Sequence, residues 1–183
     1  MKNGAKFIAA LLTAALFVLL FRTLAFTIYS IPAADIDRRL VKGDRVVVNR
    51  WSYGLRSGDG RMFRYARLVP HAIERGDLVA YNPPSDSVVN HLLRRVCLGR
   101  VEAVPGDTIK VSDAAYSIPR RLADCPLLGD NYYLIRNSAA TGERCLVAEP
   151  YIIGRAFLVL YSQEDTAHPL GGFRKDRLFL LIK

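Results

Sequence analysis

Lysine is scarce in this chain: there are six lysines against 20 arginines, and none lies between Lys42 and Lys110. Cysteine is scarcer still. Cys97, Cys125 and Cys145 form no Cys-x-x-Cys pair and no ligand cluster, which argues against a metal site, and no cofactor is called for. Internal repeats and low-complexity tracts are absent, so a solenoid or a disordered linker protein is excluded. The arginines are scattered, with no zinc-ligand spacing and no aromatic RNA-binding motif, and nucleic acid is therefore not an expected partner.

What remains is a foldable chain. With 183 residues, 51% hydrophobic and 23% charged, it has room for one membrane anchor and one compact domain of roughly 150 residues. The net charge of +9 suits nucleic acid, acidic protein or anionic lipid, and a membrane segment tips the choice toward lipid.

That segment is N-terminal. Lys2 and Lys6 precede an apolar run from Phe7 to Phe21, which Arg22 interrupts before TLAFTIYSIP resumes an apolar tone. Fifteen helical residues cover only about 22 Å of a hydrocarbon core of roughly 30 Å. Counting through Arg22 to Ile28 gives a sufficient span, with Arg22 snorkelling to the far interface. The expected division is a cytoplasmic N-terminus over 1–6, a transmembrane anchor over 7–28 and an extracytoplasmic domain over 29–183, oriented by the positive-inside rule. A cleavable signal peptide ending near Ala25 is the competing reading, and it too places the remaining chain outside the cytoplasm. In that compartment Cys125 and Cys145 could pair; three separate, partly buried thiols are the simpler expectation.

Beyond Pro32 the pattern is short strands punctuated by turns. RVVVNR (45–50) follows Gly43-Asp44, LVAYN (78–82) follows Gly76-Asp77, and TIKVS (108–112) follows Pro105-Gly106-Asp107. YYLIR and IIGRAFLVLYS lie further on. Glycine supplies turn conformations closed to other residues, and aspartate bonds the local backbone. Residues 57–75 read as an exposed insertion. The fold expected is mainly β, an antiparallel β domain behind one N-terminal transmembrane helix.

These marks, in this order, resemble type I signal peptidases of the S26 family, and more particularly a Bacteroidetes-like branch. The resemblance rests on IPAADIDRRLVKGDRVVVNRWSYG (Ile31–Gly54), RGDLVAYNPP (Arg75–Pro84), GRVEAVPGDTI (Gly99–Ile109), and AEPYIIGRAFLVLYS followed by FRKDRLFLLIK. It implies a membrane serine endopeptidase fold in which a neutral lysine takes the proton of a serine nucleophile. Carried across the first box, the nucleophile position is Asp35, with Ala33 two residues earlier and Ile36 after it. Carried across the third, the base position is Gly99.

A displaced register would offer Arg94 instead, and a guanidinium stays protonated. Neither alignment supplies a lysine. Asp35 with Asp37 makes a conceivable paired-carboxylate site, but it lacks the symmetric setting of an aspartic dyad; a solvated edge beside Arg38 and Arg39 is the plainer reading. The box that orients the lysine in the family leaves only Asn137, Glu143 and Arg144 as remnants, and Gly129-Asp130-Asn131 reads as a decoy.

The resemblance further implies a groove lined by Ile31, Pro32, Ala33, Ala34 and Ile36, which holds a client polypeptide as an added β-strand. The leading expectation is a catalytically inactive membrane protein that binds exported polypeptides or assembly partners, in secretion or surface-fibre assembly. An active peptidase with an atypical site, such as Ser30, and a structural subunit of a membrane complex are the alternatives.

Overall fold

A computed structural model describes residues 2–31, 40–57, 66–84, 95–111, 114–121, 130–138, 142–164 and 172–182. The first element is a helix, α1 (Lys2–Ala25). Its large residues Phe7, Ile8, Leu11, Leu12, Leu16 and Phe17 are exposed and spread round the helix. Among the described residues no helix is long and apolar enough to cross a membrane. The helix stops three residues before Ile28. Phe26–Ser30 form strand β1 instead, because Thr27, Ile28 and Tyr29 find paired partners in Val48, Val47 and Val46 of strand β2 (Asp44–Asn49).

The rest is antiparallel β. The further strands are β3 (Leu55–Ser57), β4 (Ala66–Leu68), β5 (Leu78–Tyr81), β6 (Cys97–Ala103), β7 (Thr108–Val111), β8 (Ala114–Ser117), β9 (Tyr132–Asn137), β10 (Arg144–Ala148), β11 (Ile152–Ser162) and β12 (Leu180–Leu181). The main sheet runs β1-β2-β11-β5-β6-β9-β10, with β12 beside β11; β3-β4 and β7-β8 are separate hairpins.

Three Gly-Asp turns set up this sheet, and they share one geometry. Gly43, Gly76 and Gly106 have φ of 93°, 87° and 91°, values that a side chain opposes. In each turn the aspartate N–H donates to the carbonyl three residues back: Asp44 to Val41, Asp77 to Glu74, Asp107 to Val104. Each carboxylate also accepts that residue's N–H, at 2.9, 3.2 and 2.7 Å. This is the arrangement of a type II turn closed by its own side chain. An arginine then neutralises each one: Arg177 on Asp44 (2.7 Å), Arg155 on Asp77 (3.1 Å) and Arg75 on Asp107 (2.7 Å).

Around β5 the sheet is covered on both faces, which is why LVAY there is buried at every position. On one side Leu78, Ala80 and Leu98 join Val46, Val48, Ile31 and Leu40. On the other Val79, Tyr81 and Val101 join Ile135, Val147 and Ile152.

Most described residues between 66 and 75 are exposed. Arg67 is a point of attachment: its side chain, 4% exposed, pairs with Glu149 and donates to the carbonyls of Tyr53 and Ile152. Ile73 is core. Cys145 is a free thiol, which leaves the simpler expectation of separate thiols in place of a Cys125–Cys145 pairing; Cys125 lies outside the described residues.

Candidate functional site

The segment that carries Asp35 begins and ends in the core. Ile31 and Leu40 are both buried against Leu98 and its neighbours. Ile31 donates to the Asp44 carbonyl at 3.0 Å and accepts from Gly43 N–H at 3.1 Å. The residues between them, including Pro32, Ala33, Ala34, Asp35, Ile36 and Asp37, lie outside those described, as does Arg94. Ser30 is exposed at the end of β1, opposite Arg45.

Gly99 sits in the middle of β6, between Val79 of β5 and Asn137 of β9. Side chains alternate along a strand. Leu98 points to the cluster of Ile31 and Leu40, so position 99 points to the opposite face. A Cβ there would lie 2.6 Å from Ile135 Cγ2, 2.7 Å from the Arg136 carbonyl oxygen and 3.1 Å from Tyr81 Cε1. The backbone oxygen decides the matter: a side chain fits only if β9 moves away.

Tyr81 lies beside this position. Its ring is buried, and its hydroxyl accepts the Cys145 thiol at 3.4 Å. Burial, reinforced by the thiol contact, raises the hydroxyl's pKa well above the ordinary phenol value. Burial likewise raises the Cys145 thiol. Near neutral pH both groups keep their protons, so neither serves as a general base.

Of the residues that the resemblance suggested as remnants of the lysine-orienting box, Asn137 ends β9 and Arg144 begins β10. Asn137 is in register with Gly99 and donates its backbone N–H to the Glu143 carbonyl at 2.8 Å. Arg144 and Arg136 both bind Glu102, at 2.7 and 3.1 Å. Asn131 serves elsewhere as a brace, its side-chain amide bonding Glu149 and Arg121. Sequence reasoning missed Ser138, which is buried and donates its N–H to the Leu98 carbonyl at 2.8 Å. The run Asn-Ser-Ala-Ala carries only a turn signal, which hides a side chain that tertiary contacts bury.

Comparison with known proteins agrees with this architecture. The family model described as "Signal peptidase, peptidase S26" matches residues 4–161. A signal peptidase I of Pseudomonas fluorescens is 28% identical over 143 residues, covering 77% of this chain and 40% of that protein. Signal peptidase I of Rickettsia canadensis is 28% identical over 100 residues, 52% of this chain and 36% of the relative. That of Rickettsia prowazekii is 26% identical over 100 residues, with 52% and 36% covered. The chain thus spans well under half the length of these curated relatives.

Proposed function

The chain belongs to the signal peptidase S26 family, and on that premise we propose that it holds exported polypeptides in the family's strand groove without cutting them. The observation that carries this reading is Gly99. The position of the family's base has no side chain, and the Arg136 carbonyl oxygen stands 2.7 Å from where a Cβ would be. Binding an extended client relies on backbone hydrogen bonds, which survive the loss of a nucleophile and a base. We place the groove at Ile31, Pro32, Ala33, Ala34 and Ile36, with Asp35 at the nucleophile position.

In this proposal α1 carries the single-pass anchor, with residues 1–6 cytoplasmic and the β domain outside. Residues 7–25 of α1 amount to about 28 Å of helix at 1.5 Å per residue, and large apolar side chains stand exposed all round it, as suits lipid.

The test uses the full chain in detergent with a radiolabelled preprotein, alongside Ser30→Ala, Asp35→Ala and the double variant Asp35→Ser/Gly99→Lys. The expected result is client retention on the immobilised chain with no cleavage product from any of the four proteins. Cleavage by the unaltered chain that Ser30→Ala or Asp35→Ala abolishes would overturn the reading in favour of an atypical peptidase.

A further inference from the structure

We propose that the β10 edge of the main sheet binds an extended acidic polypeptide segment, held as one more strand beside a row of three arginines. This site is not the groove of Ile31–Ile36, and it does not depend on that reading.

The row follows from strand register. Arg100 of β6 stands opposite Arg136 of β9, and Arg136 opposite Arg144 of β10. Their neighbours fix the face. Leu98 packs with Ile31 and Leu40, while Val101 and Ile135 pack with Tyr81. Alternation therefore turns Arg100 and Arg136 to the side of Leu98. Arg100 donates there to the Gly76 carbonyl at 2.6 Å. Glu102 joins Arg136 and Arg144 at 3.1 and 2.7 Å, which puts all four charged residues on one face. Three guanidiniums and one carboxylate leave this group two charges positive. Glu143, just before β10, acts instead on Cys145 and Tyr81 of the other face. Like charges directly opposite one another destabilise a sheet, and a row kept at that cost suits an anionic partner.

Strand β10 is also an open edge. Among the described residues it pairs with β9 and with no further strand. Asn137 N–H donates to the Glu143 carbonyl and Glu149 N–H to the Asn131 carbonyl, both at 2.8 Å. Counting by twos between these bonds, Cys145 and Val147 turn their backbone groups to β9. Arg144 and Leu146 turn theirs outward. Their side chains share the arginine face, that of Arg144 63% exposed and Leu146 39% exposed. An added strand meets a cation and, two residues on, an apolar side chain. Its complement alternates acidic and apolar residues.

Position and charge select a polypeptide. Strand β1, which continues α1, is the opposite edge, six strand spacings or about 29 Å away along the sheet. Lipid around α1 is remote from the row. A second copy fits poorly, since β10 against β10 brings two cationic rows together.

A fluorescein-labelled peptide alternating glutamate and valine is titrated onto the full chain in uncharged detergent, with anisotropy as the readout. A glutamine–valine counterpart and a copy N-methylated at alternate residues serve as controls. The glutamate peptide is expected to bind about tenfold more tightly than either. Arg144→Gln, on the exposed edge, is expected to lose about tenfold in affinity with an unchanged circular dichroism spectrum. In the unaltered chain, bound peptide should slow hydrogen exchange at the amides of Arg144 and Leu146. No binding of the glutamate peptide, or equal binding by Arg144→Gln, overturns the inference. So does equal binding of the N-methylated copy, or full displacement by phosphatidylglycerol added to the micelles; the row is then an anion or headgroup site. Cleavage of a preprotein by this chain would overturn the groove reading and leave the β10 site standing.

Discussion

At residue 99 a single missing side chain governs both packing and chemistry. A Cβ would press on the Arg136 carbonyl oxygen and on Ile135, and overpacking of a closed core costs about 1–3 kcal/mol. Gly99→Ala is therefore expected to lower the unfolding free energy by an amount in that range, read as a lower urea midpoint with an unchanged m-value. A neutral Gly99→Ala would show that β9 yields easily, and would reopen the position to a lysine. The assignment of 35 and 99 to the nucleophile and base positions rests on counting residues from neighbouring Gly-Asp marks. The tight approach of β9 was not legible in that way, since it depends on which strand lies beside β6.

At the scale of elements, the turn before β2 is the best-secured join. Asp44 is fully buried, bonded to its own turn and to Arg177 through two nitrogens at 2.7 and 3.1 Å. Arg177 comes from the C-terminal segment, so this pair fastens the end of the chain to the turn that follows Leu40. Removing one partner strands a buried charge, which costs about 3–5 kcal/mol. Arg177→Met is expected to destabilise by that order. The double variant Arg177→Met/Asp44→Asn should lose clearly less than the sum of the two single losses, read from a denaturation cycle.

Strands β2, β5, β7, β9 and β11 were readable because a Gly-Asp turn or a long β-branched run announced them. Strand β6 was not, with glycine and charged residues in its middle; its burial comes from β5 and β9 on either side. Strand β1 was read as helix because an apolar segment adjoining α1 has no local signal that distinguishes the two.

The whole molecule is basic, with 26 Lys and Arg against 17 Asp and Glu. Acid removes the compensating carboxylates and leaves the cations to repel one another. Asp107 adds to this. The Val104 N–H, with Arg75 beside it, holds its carboxyl below the ordinary value. A depressed carboxyl contributes stability above its unfolded pKa of about 3.9, and that contribution fades as pH falls through the lower folded value. The melting temperature is therefore expected to fall as pH drops from 5 toward 3, less steeply in Asp107→Asn; equal slopes would remove Asp107 from the account.

The sequence by itself determined the turns, the antiparallel β class and the family. These are local or countable properties: a glycine's φ, a short spacing, a residue's identity. Tertiary structure alone decided that Gly99 faces Tyr81 and Ile135, that Arg67 and Arg177 clamp distant parts of the chain, and that Ile28 and Leu181 share one face. Each of those joins residues far apart in the chain, and strand order, which no local pattern encodes, is what brings them together.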